Sequence, residues 1–161
     1  MLYLKKGVVF MGEYAQKAQE LFYEGYNCAQ AVLGAFAERA GISFETAVKT
    51  ASSFGGGMGG MREVCGAVSG MLMAAGLIFG YEKPNDRAAK SEHYARVRKL
   101  SEQFREENGS IICRELLGMA GQKGSQEPAE RTEEYYKKRP CPELVAMAAA
   151  VLEDYLEKNA G

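Results

Sequence analysis

The sequence predicts an all-α fold, a single-domain bundle of several helices with a buried central helix rich in glycine and alanine. Apolar residues recur at three- and four-residue steps, which is the spacing of one face of a helix. No segment shows the strict apolar–polar alternation of a half-buried strand. The length of 161 residues fits one domain without repeats. We expect this domain to span residues 1–161, with 1–11 and 158–161 loosely ordered.

Three helices are expected in the first third of the chain. The first covers residues 13–23, where alanine, leucine and aromatic residues share one face. Asn27 is a preferred N-cap residue and predicts a second helix over 28–40. Ser43 is another such residue and predicts a third helix over 44–54.

The middle of the chain contains the central helix. Residues 55–60 include five glycines in six positions and predict a loop with exposed backbone. The helix over 64–79 follows, and its many glycines and alanines let neighbouring helices approach closely. After a turn over 80–85, a long polar helix is expected over 86–107, with apolar residues on one stripe.

The last third is expected to be less regular. Ser110 predicts a cap for a short helix over 111–118. Residues 118–139 are rich in glycine, glutamine, lysine and glutamate, which predicts a long surface loop with a helical turn at 130–136. The last helix opens at Pro142, a residue that suits the first helical position.

Charge and hydropathy exclude several classes of protein. Twenty basic residues against 21 acidic ones give a net charge of -1, so the basic excess of a nucleic-acid binder is missing. No apolar run reaches the ~18 residues that span a bilayer, which argues against membrane insertion. The start of the chain lacks the apolar run of about 7–15 residues found in secretory signals. We therefore expect a cytoplasmic protein.

Four cysteines are the residues best suited to chemistry of their own: Cys28, Cys65, Cys113 and Cys141. In a cytosolic chain, cysteines indicate redox or metal chemistry more often than disulfides, although a free cysteine can also be an inert core residue. Each of the four is predicted in the first turn of a helix. Unpaired N–H groups and the helix dipole stabilise a thiolate there. If the four helix ends converge, an iron–sulfur cluster would suit the site.

The spacing of the cysteines excludes short motifs. No C-x-x-C pair is present, so thioredoxin-type, zinc-knuckle and c-type haem attachment motifs are all missing. Any site must therefore be assembled from four separate segments of the chain.

The glycines next to the second cysteine are candidates for ligand binding. Gly55, Gly57 and Gly60 match G-x-G-x-x-G, but a helix rather than a strand precedes them, which argues against a nucleotide site. We expect the glycine-rich segments to bring bare N–H groups near Cys65, around its sulfur or around a bound anion. A tight turn between helices is the alternative. The glycines assigned to cofactor binding are Gly56, Gly57, Gly59, Gly60 and Gly66.

Two segments resemble a known family. GYNCAQAVL and FGGGMGGMREVCGAVSGMLMAAGLIFG, followed by two later cysteines, are similar to a bacterial and archaeal family of redox-active proteins. The family is defined by four cysteines and a C-G-A-x-x-G motif, here residues 65–70, and the similarity covers about residues 12–157. The resemblance implies a fold similar to the N-terminal part of split-Soret cytochromes, a homodimer and an iron–sulfur site. Haem is not expected, because its attachment motif is missing.

Three functional hypotheses follow. In the first, all four cysteines bind an iron–sulfur cluster for electron transfer or redox sensing, with a redox partner protein that the sequence does not identify. In the second, a metal-free thiol/disulfide oxidoreductase uses Cys65 as the attacking thiol and Cys28 as a resolving thiol. The third is a helical protein with a structural zinc ion, or a plain scaffold. Whether the protein is an enzyme or an electron carrier stays open.

Overall fold

The computed structural model describes residues 12–119 and 123–159. Within these residues it contains eight α-helices, one 3₁₀ turn at Ser52–Phe54 and no β-strand, which confirms the all-α prediction. The expected loose order of residues 1–11 and 158–161 falls almost wholly outside this range. The helices are α1 Glu13–Tyr23, α2 Cys28–Ala35, α3 Phe44–Ala51, α4 Gly66–Phe79, α5 Arg87–Asn108, α6 Cys113–Leu116, α7 Glu133–Lys138 and α8 Cys141–Lys158.

The core lies between α2, α4 and α8. Helix α8 packs against α1, α2, α4 and α5, and α2 packs against α1, α3 and α4. The small residues of α4 form its buried face, while Leu77 near its end is 47% exposed. In the described part of the chain, no helix combines the length and apolar character needed to cross a membrane.

Side-chain caps set the start of three helices. The caps at Asn27 and Ser43 confirm the prediction, Asp86 is a cap that the sequence analysis did not assign, and the predicted cap Ser110 is wrong because Ile112 is the N-cap of α6. The Asn27 side chain accepts a hydrogen bond from the backbone N–H of Gln30 at 2.9 Å, and the Gln30 side chain accepts one from the N–H of Asn27 at 3.1 Å. Ser43 caps α3 through the N–H of Thr46 at 3.1 Å. Asp86 caps α5 through the N–H of Ala89 at 2.9 Å. These caps fix the entry of the chain into α2, α3 and α5.

Four helices are shorter than expected. Helix α3 ends at Ala51 instead of residue 54, with the 3₁₀ turn directly after it, and α4 begins at Gly66 instead of residue 64. Helix α2 ends at Ala35 instead of residue 40, because Phe36 and Ala37 donate to carbonyls three residues back and tighten the chain into turns. Helix α6 begins at Cys113 instead of residue 111. The hydroxyl of Ser110 accepts from the N–H of Ile112 at 2.9 Å, and Ile112 pairs with Val64 in an isolated antiparallel bridge.

His93 is more buried than its place on the polar helix α5 suggests. We expect a surface residue from the sequence, but the side chain is 8% exposed. Its Nδ1 atom lies 2.9 Å from Nη1 of Arg96. The guanidinium of Arg96 itself stacks on the ring of Phe79, 4.7 Å from its centroid, so this part of α5 packs against the end of α4.

Candidate functional site, a cavity lined by four cysteines

Each cysteine lies at the N-terminus of a helix. Cys28, Cys113 and Cys141 are the first residues of α2, α6 and α8. Cys65 is the N-cap residue of α4, whereas the sequence predicts it as the second residue of that helix. All four are free thiols; Cys28 is half-buried and the others are buried. The sequence therefore located the cysteines correctly relative to the helix ends.

The four cysteines line one cavity of about 60 Å³. One water molecule needs roughly 10–15 Å³, so the cavity has room for several atoms. Apolar side chains and three glycines also line it. The polar lining residues are Asn27, Arg62, Arg131, Tyr135 and Arg139. Sequence segments that lie far apart thus meet at one point, as the hypothesis of converging helix ends requires.

A short backbone pairing holds two of the cysteines side by side. The N–H of Cys65 donates to the carbonyl of Ile111 at 2.8 Å, and the N–H of Cys113 donates to the carbonyl of Glu63 at 2.6 Å. These bonds flank the bridge between Val64 and Ile112. The pairing fixes the distance between the starts of α4 and α6 without a covalent link.

Glycines let the backbone approach the sulfur-bearing side chains. Gly57 has a left-handed φ of +69°, and a Cβ there would lie 2.8 Å from Cβ of Cys113. A Cβ on Gly66 would lie 3.1 Å from Cβ of Cys28. Both glycines line the cysteine cavity, as Gly56 does. Gly59 and Gly60 lie instead on a neighbouring pocket, and a role in cofactor binding stays a prediction for all five glycines.

Comparison with known proteins identifies the family. The family described as "Putative redox-active protein (C_GCAxxG_C_C)" matches residues 26–155, a range that includes all four cysteines. The chain belongs to this family. An uncharacterised protein of Archaeoglobus fulgidus is 30% identical over 151 residues, which cover 86% of this chain and 93% of that protein. No solved structure matches the chain significantly.

The family match confirms the resemblance drawn from the cysteine motif. Similarity of the C_GCAxxG_C_C protein to split-Soret cytochromes stays a prediction, as do the homodimer and the cytoplasmic location. The family description supports redox activity and is silent on the cofactor.

Cys28 and Cys141 shift each other's pKa in opposite directions. Donation to the sulfur of Cys141, together with burial, raises the pKa of Cys28 well above its ordinary value. Acceptance of that hydrogen bond lowers the pKa of Cys141 to about 7, and the positive charges of Arg139, Arg131 and Arg62 act in the same direction. As pH rises through about 7, Cys141 therefore loses its proton first, while Cys28 keeps its own.

The other two cysteines have different surroundings. Burial raises the pKa of Cys65 to about 12, although the N–H groups of Ala67 and Val68 oppose this effect. The sulfur of Cys113 accepts a hydrogen bond from Nη1 of Arg62 at 3.7 Å. The C_GCAxxG_C_C site thus combines one thiolate-prone cysteine with one that holds its proton strongly.

Sequence reasoning missed the arginines contributed by the loop after α6. Residues 118–139 are expected to form a surface loop, yet Arg131 and Arg139 reach the cysteine cavity. A helical turn is present there, at α7 rather than at 130–136. One available signal was the position of Arg139, two residues before Cys141. The role of Arg131 depends on tertiary contacts with the carbonyls of Phe22 and Tyr26, which no local pattern reveals.

A single metal ion needs several ligating side chains close to one another. Among residues 12–119 and 123–159, no three His, Cys, Asp or Glu side chains stand close enough to hold one ion between them. The four cysteines share one cavity, but no three of them form such a group in the described part of the chain.

Proposed function

We propose that the protein is a redox protein that binds an iron–sulfur cluster through Cys28, Cys65, Cys113 and Cys141. The observation that carries this proposal is the placement of four thiols, from four separate helix N-termini, around one small cavity. A cluster bound there would take up and release one electron while its bonds to the protein stay the same.

The charges around the cavity suit such a group. A cluster held by four thiolates is an anion, and Arg62, Arg131 and Arg139 supply three positive charges along the wall. No carboxylate is present among the lining residues in the described part of the chain. The N–H groups of Ala67 and Val68 point at the sulfur of Cys65, and such donors help to set the potential of a cluster. The protein's contribution is therefore to hold and stabilise negatively charged sulfur.

A cluster and a single zinc ion require different arrangements of the four sulfurs. A structural zinc ion takes four ligands tetrahedrally at about 2.3 Å from each sulfur, which requires the sulfurs to converge. In a cluster, different iron atoms take different cysteines, so the sulfurs stand around the core. A structural zinc ion remains a prediction from the sequence that metal analysis also tests.

Anaerobic purification followed by iron and sulfide analysis tests the proposal. We expect brown protein with near-stoichiometric iron and sulfide, and a visible absorbance that bleaches on reduction. Single Cys→Ser changes at the four positions should lower the iron content, whereas Ser53→Ala, an exposed position outside the cavity, should not. Colourless protein without iron from the anaerobic preparation would overturn the cluster.

A second candidate is favoured by the presence of Cys28 and Cys141 in one cavity, where their interaction raises the pKa of Cys28 and lowers that of Cys141. In metal-free protein, the Cys141 thiolate would attack a disulfide substrate and expel one thiolate. Cys28 would then attack the mixed disulfide, release the second thiol and leave a Cys28–Cys141 disulfide. The substrate disulfide is reduced by two electrons and the protein dithiol is oxidised. This pair differs from the expected one, because a pKa of about 12 makes Cys65 a poor attacking thiol.

Redox titration of metal-free protein in glutathione buffers tests this candidate. We expect peptide mapping by mass spectrometry to find a disulfide between Cys28 and Cys141, and Cys65→Ser to leave that disulfide intact. Four thiols that stay independent across the whole titration would contradict it.

A further inference from the structure

A second pocket opens directly outside the cysteine cavity. Its volume is about 270 Å³, and we call it the outer pocket. It shares six lining residues with the cysteine cavity, namely Asn27, Gly56, Arg62, Arg131, Tyr135 and Arg139. The remaining wall comes from the glycine loop and from residues 125–129. A molecule in the outer pocket would therefore lie next to the wall that carries the cysteines.

The outer pocket is positively charged. Its three arginines face one acidic lining residue, Glu127, so three positive charges meet one negative charge. The Nε atom of Arg62 is buried and has no hydrogen-bond partner among the described residues. A buried donor without a partner costs free energy unless a ligand or water satisfies it. Arg62, which lines both the outer pocket and the cysteine cavity, therefore carries one donor that the described residues leave unsatisfied.

The glycine loop adds backbone donors at the same place. Gly56 and Gly59 have left-handed φ values of +63° and +57°, and both line the outer pocket. In the described part of the chain, the N–H groups of these two residues donate to no protein acceptor. Backbone N–H groups that a turn leaves unpaired favour a nearby anion.

We propose that the outer pocket binds a small anionic molecule that carries a carboxylate or phosphate group, and presents it to the cysteines. Arginine forks recognise both groups through paired charged hydrogen bonds. The volume lies just below the range of about 300–1,000 Å³ for drug-sized ligands, which fits a small metabolite and is too small for a dinucleotide. This proposal deepens the redox function by naming its substrate class. The role of the ligand depends on that function, whereas the binding of the ligand does not.

Calorimetric titration with inorganic phosphate and with citrate tests the proposal, at constant ionic strength in chloride buffer. We expect saturable one-to-one binding of at least one probe to the wild-type protein. Arg139→Gln should weaken that binding roughly tenfold or more, because it removes a charged hydrogen-bond donor. Arg98→Gln removes the same charge from the exposed surface of α5, and should leave binding unchanged. Circular dichroism checks that both variants are folded.

The outcomes separate this proposal from the cluster. No saturable binding of either probe, or equal weakening in Arg98→Gln and Arg139→Gln, overturns the anion pocket. Iron and sulfide are measured in the same preparations. Protein that binds a probe through Arg139 but holds no iron keeps the anion pocket and loses the cluster, whereas protein with iron and no probe binding keeps only the cluster.

Discussion

Two cysteines of the same cavity differ in how strongly they hold a proton. Cys141 accepts a hydrogen bond from Cys28 and lies near three guanidinium groups, whereas Cys65 is buried with only backbone donors to oppose desolvation. Because the thiolate is the reactive form, the two should differ in chemistry near neutral pH. The difference comes from neighbours brought in by the fold and could not be deduced from the position of each cysteine at a helix end.

Alkylation by iodoacetamide should reveal this difference in reduced, metal-free protein. Because the pKa of Cys141 is lowered to about 7, its thiolate and its reactivity should disappear as pH falls through 7. For an ordinary cysteine the midpoint of this loss is at about pH 8.5. Cys28→Ala and Arg139→Gln should each move this midpoint upward. Mass spectrometry of the labelled peptide measures the rate at each pH.

Cys65→Ser is the matched control for this experiment. It should leave the reactive phase in place, whereas Cys141→Ser should abolish it. A midpoint at 8.5 or above for Cys141 in the wild-type protein would show that the arginines and Cys28 do not stabilise its thiolate.

Two glycines of the same loop should respond differently to alanine. Gly57→Ala would place a Cβ 2.7 Å from the N–H nitrogen of Glu63 and 2.8 Å from Cβ of Cys113, while Gly59→Ala meets only a carbonyl oxygen at 3.9 Å. Both pay the left-handed strain of about 1–2 kcal/mol. Overpacking adds about 1–3 kcal/mol for Gly57 alone, so Gly57→Ala should cost about 2–5 kcal/mol in urea unfolding.

The comparison of these two variants isolates crowding at the cysteine cavity. Gly57→Ala should also lower the iron content, because Cys113 has to move to make room. Equal stability losses in the two variants would mean that only the backbone conformation matters at this loop.

At the scale of helices, local sequence signals predict those helix starts that depend on residues adjacent along the chain. Asn27, Ser43 and Asp86 cap their helices with their own side chains, so their effect is visible in the sequence. The start of α6 at Cys113 depends instead on the pairing of Ile112 with Val64. Those two residues are far apart along the chain, and no local pattern shows that they meet. The same pairing explains why α4 begins one residue after Cys65.

The close packing of α4 on α2 can be tested with a second pair of glycines. A Cβ on Gly70 would lie 2.6 Å from the carbonyl oxygen of Ala29, whereas a Cβ on Gly76 would meet nothing nearer than 4.0 Å. Gly70→Ala should therefore force the helices apart and destabilise the protein by about 1–3 kcal/mol. Gly76→Ala should stabilise it by about 0.5–1 kcal/mol through helix propensity.

Denaturant unfolding of both variants measures these shifts against the wild type. Two variants of similar stability would show that α4 does not depend on backbone contact with α2. The buried glycines of the central helix would then serve only to reduce side-chain bulk.

At the scale of the whole molecule, residues 123–139 form part of the wall of the site and contact the end of α1 and the turn before α2. The sequence predicts a polar loop with one helical turn here, and the helical turn is present as α7. It does not reveal that the segment supplies cavity walls, because polar residues on a loop carry no periodic signal that points inward. The contacts arise from single side chains reaching remote carbonyl groups.

Arg131 makes two of these contacts and gives the last prediction. Its guanidinium donates to the carbonyls of Phe22 and Tyr26, each at 3.1 Å, and stacks 4.2 Å from the ring centroid of Phe22. Arg131→Lys keeps the charge but loses the planar fork, so it should cost about 1–3 kcal/mol. We expect amide hydrogen exchange in α7 to become faster as well.

The ion pair of Lys138 with Glu134 offers the matched control, because the Lys138 side chain is 73% exposed. Lys138→Ala should therefore change the free energy of unfolding by less than about 1 kcal/mol. Unchanged exchange in Arg131→Lys would mean that the segment is held by other contacts. Faster exchange confined to α7 and the wall of the cavity would instead show that one arginine couples the turn between α1 and α2 to access to the cysteines. Arg131 would then control entry to the site as well as its charge.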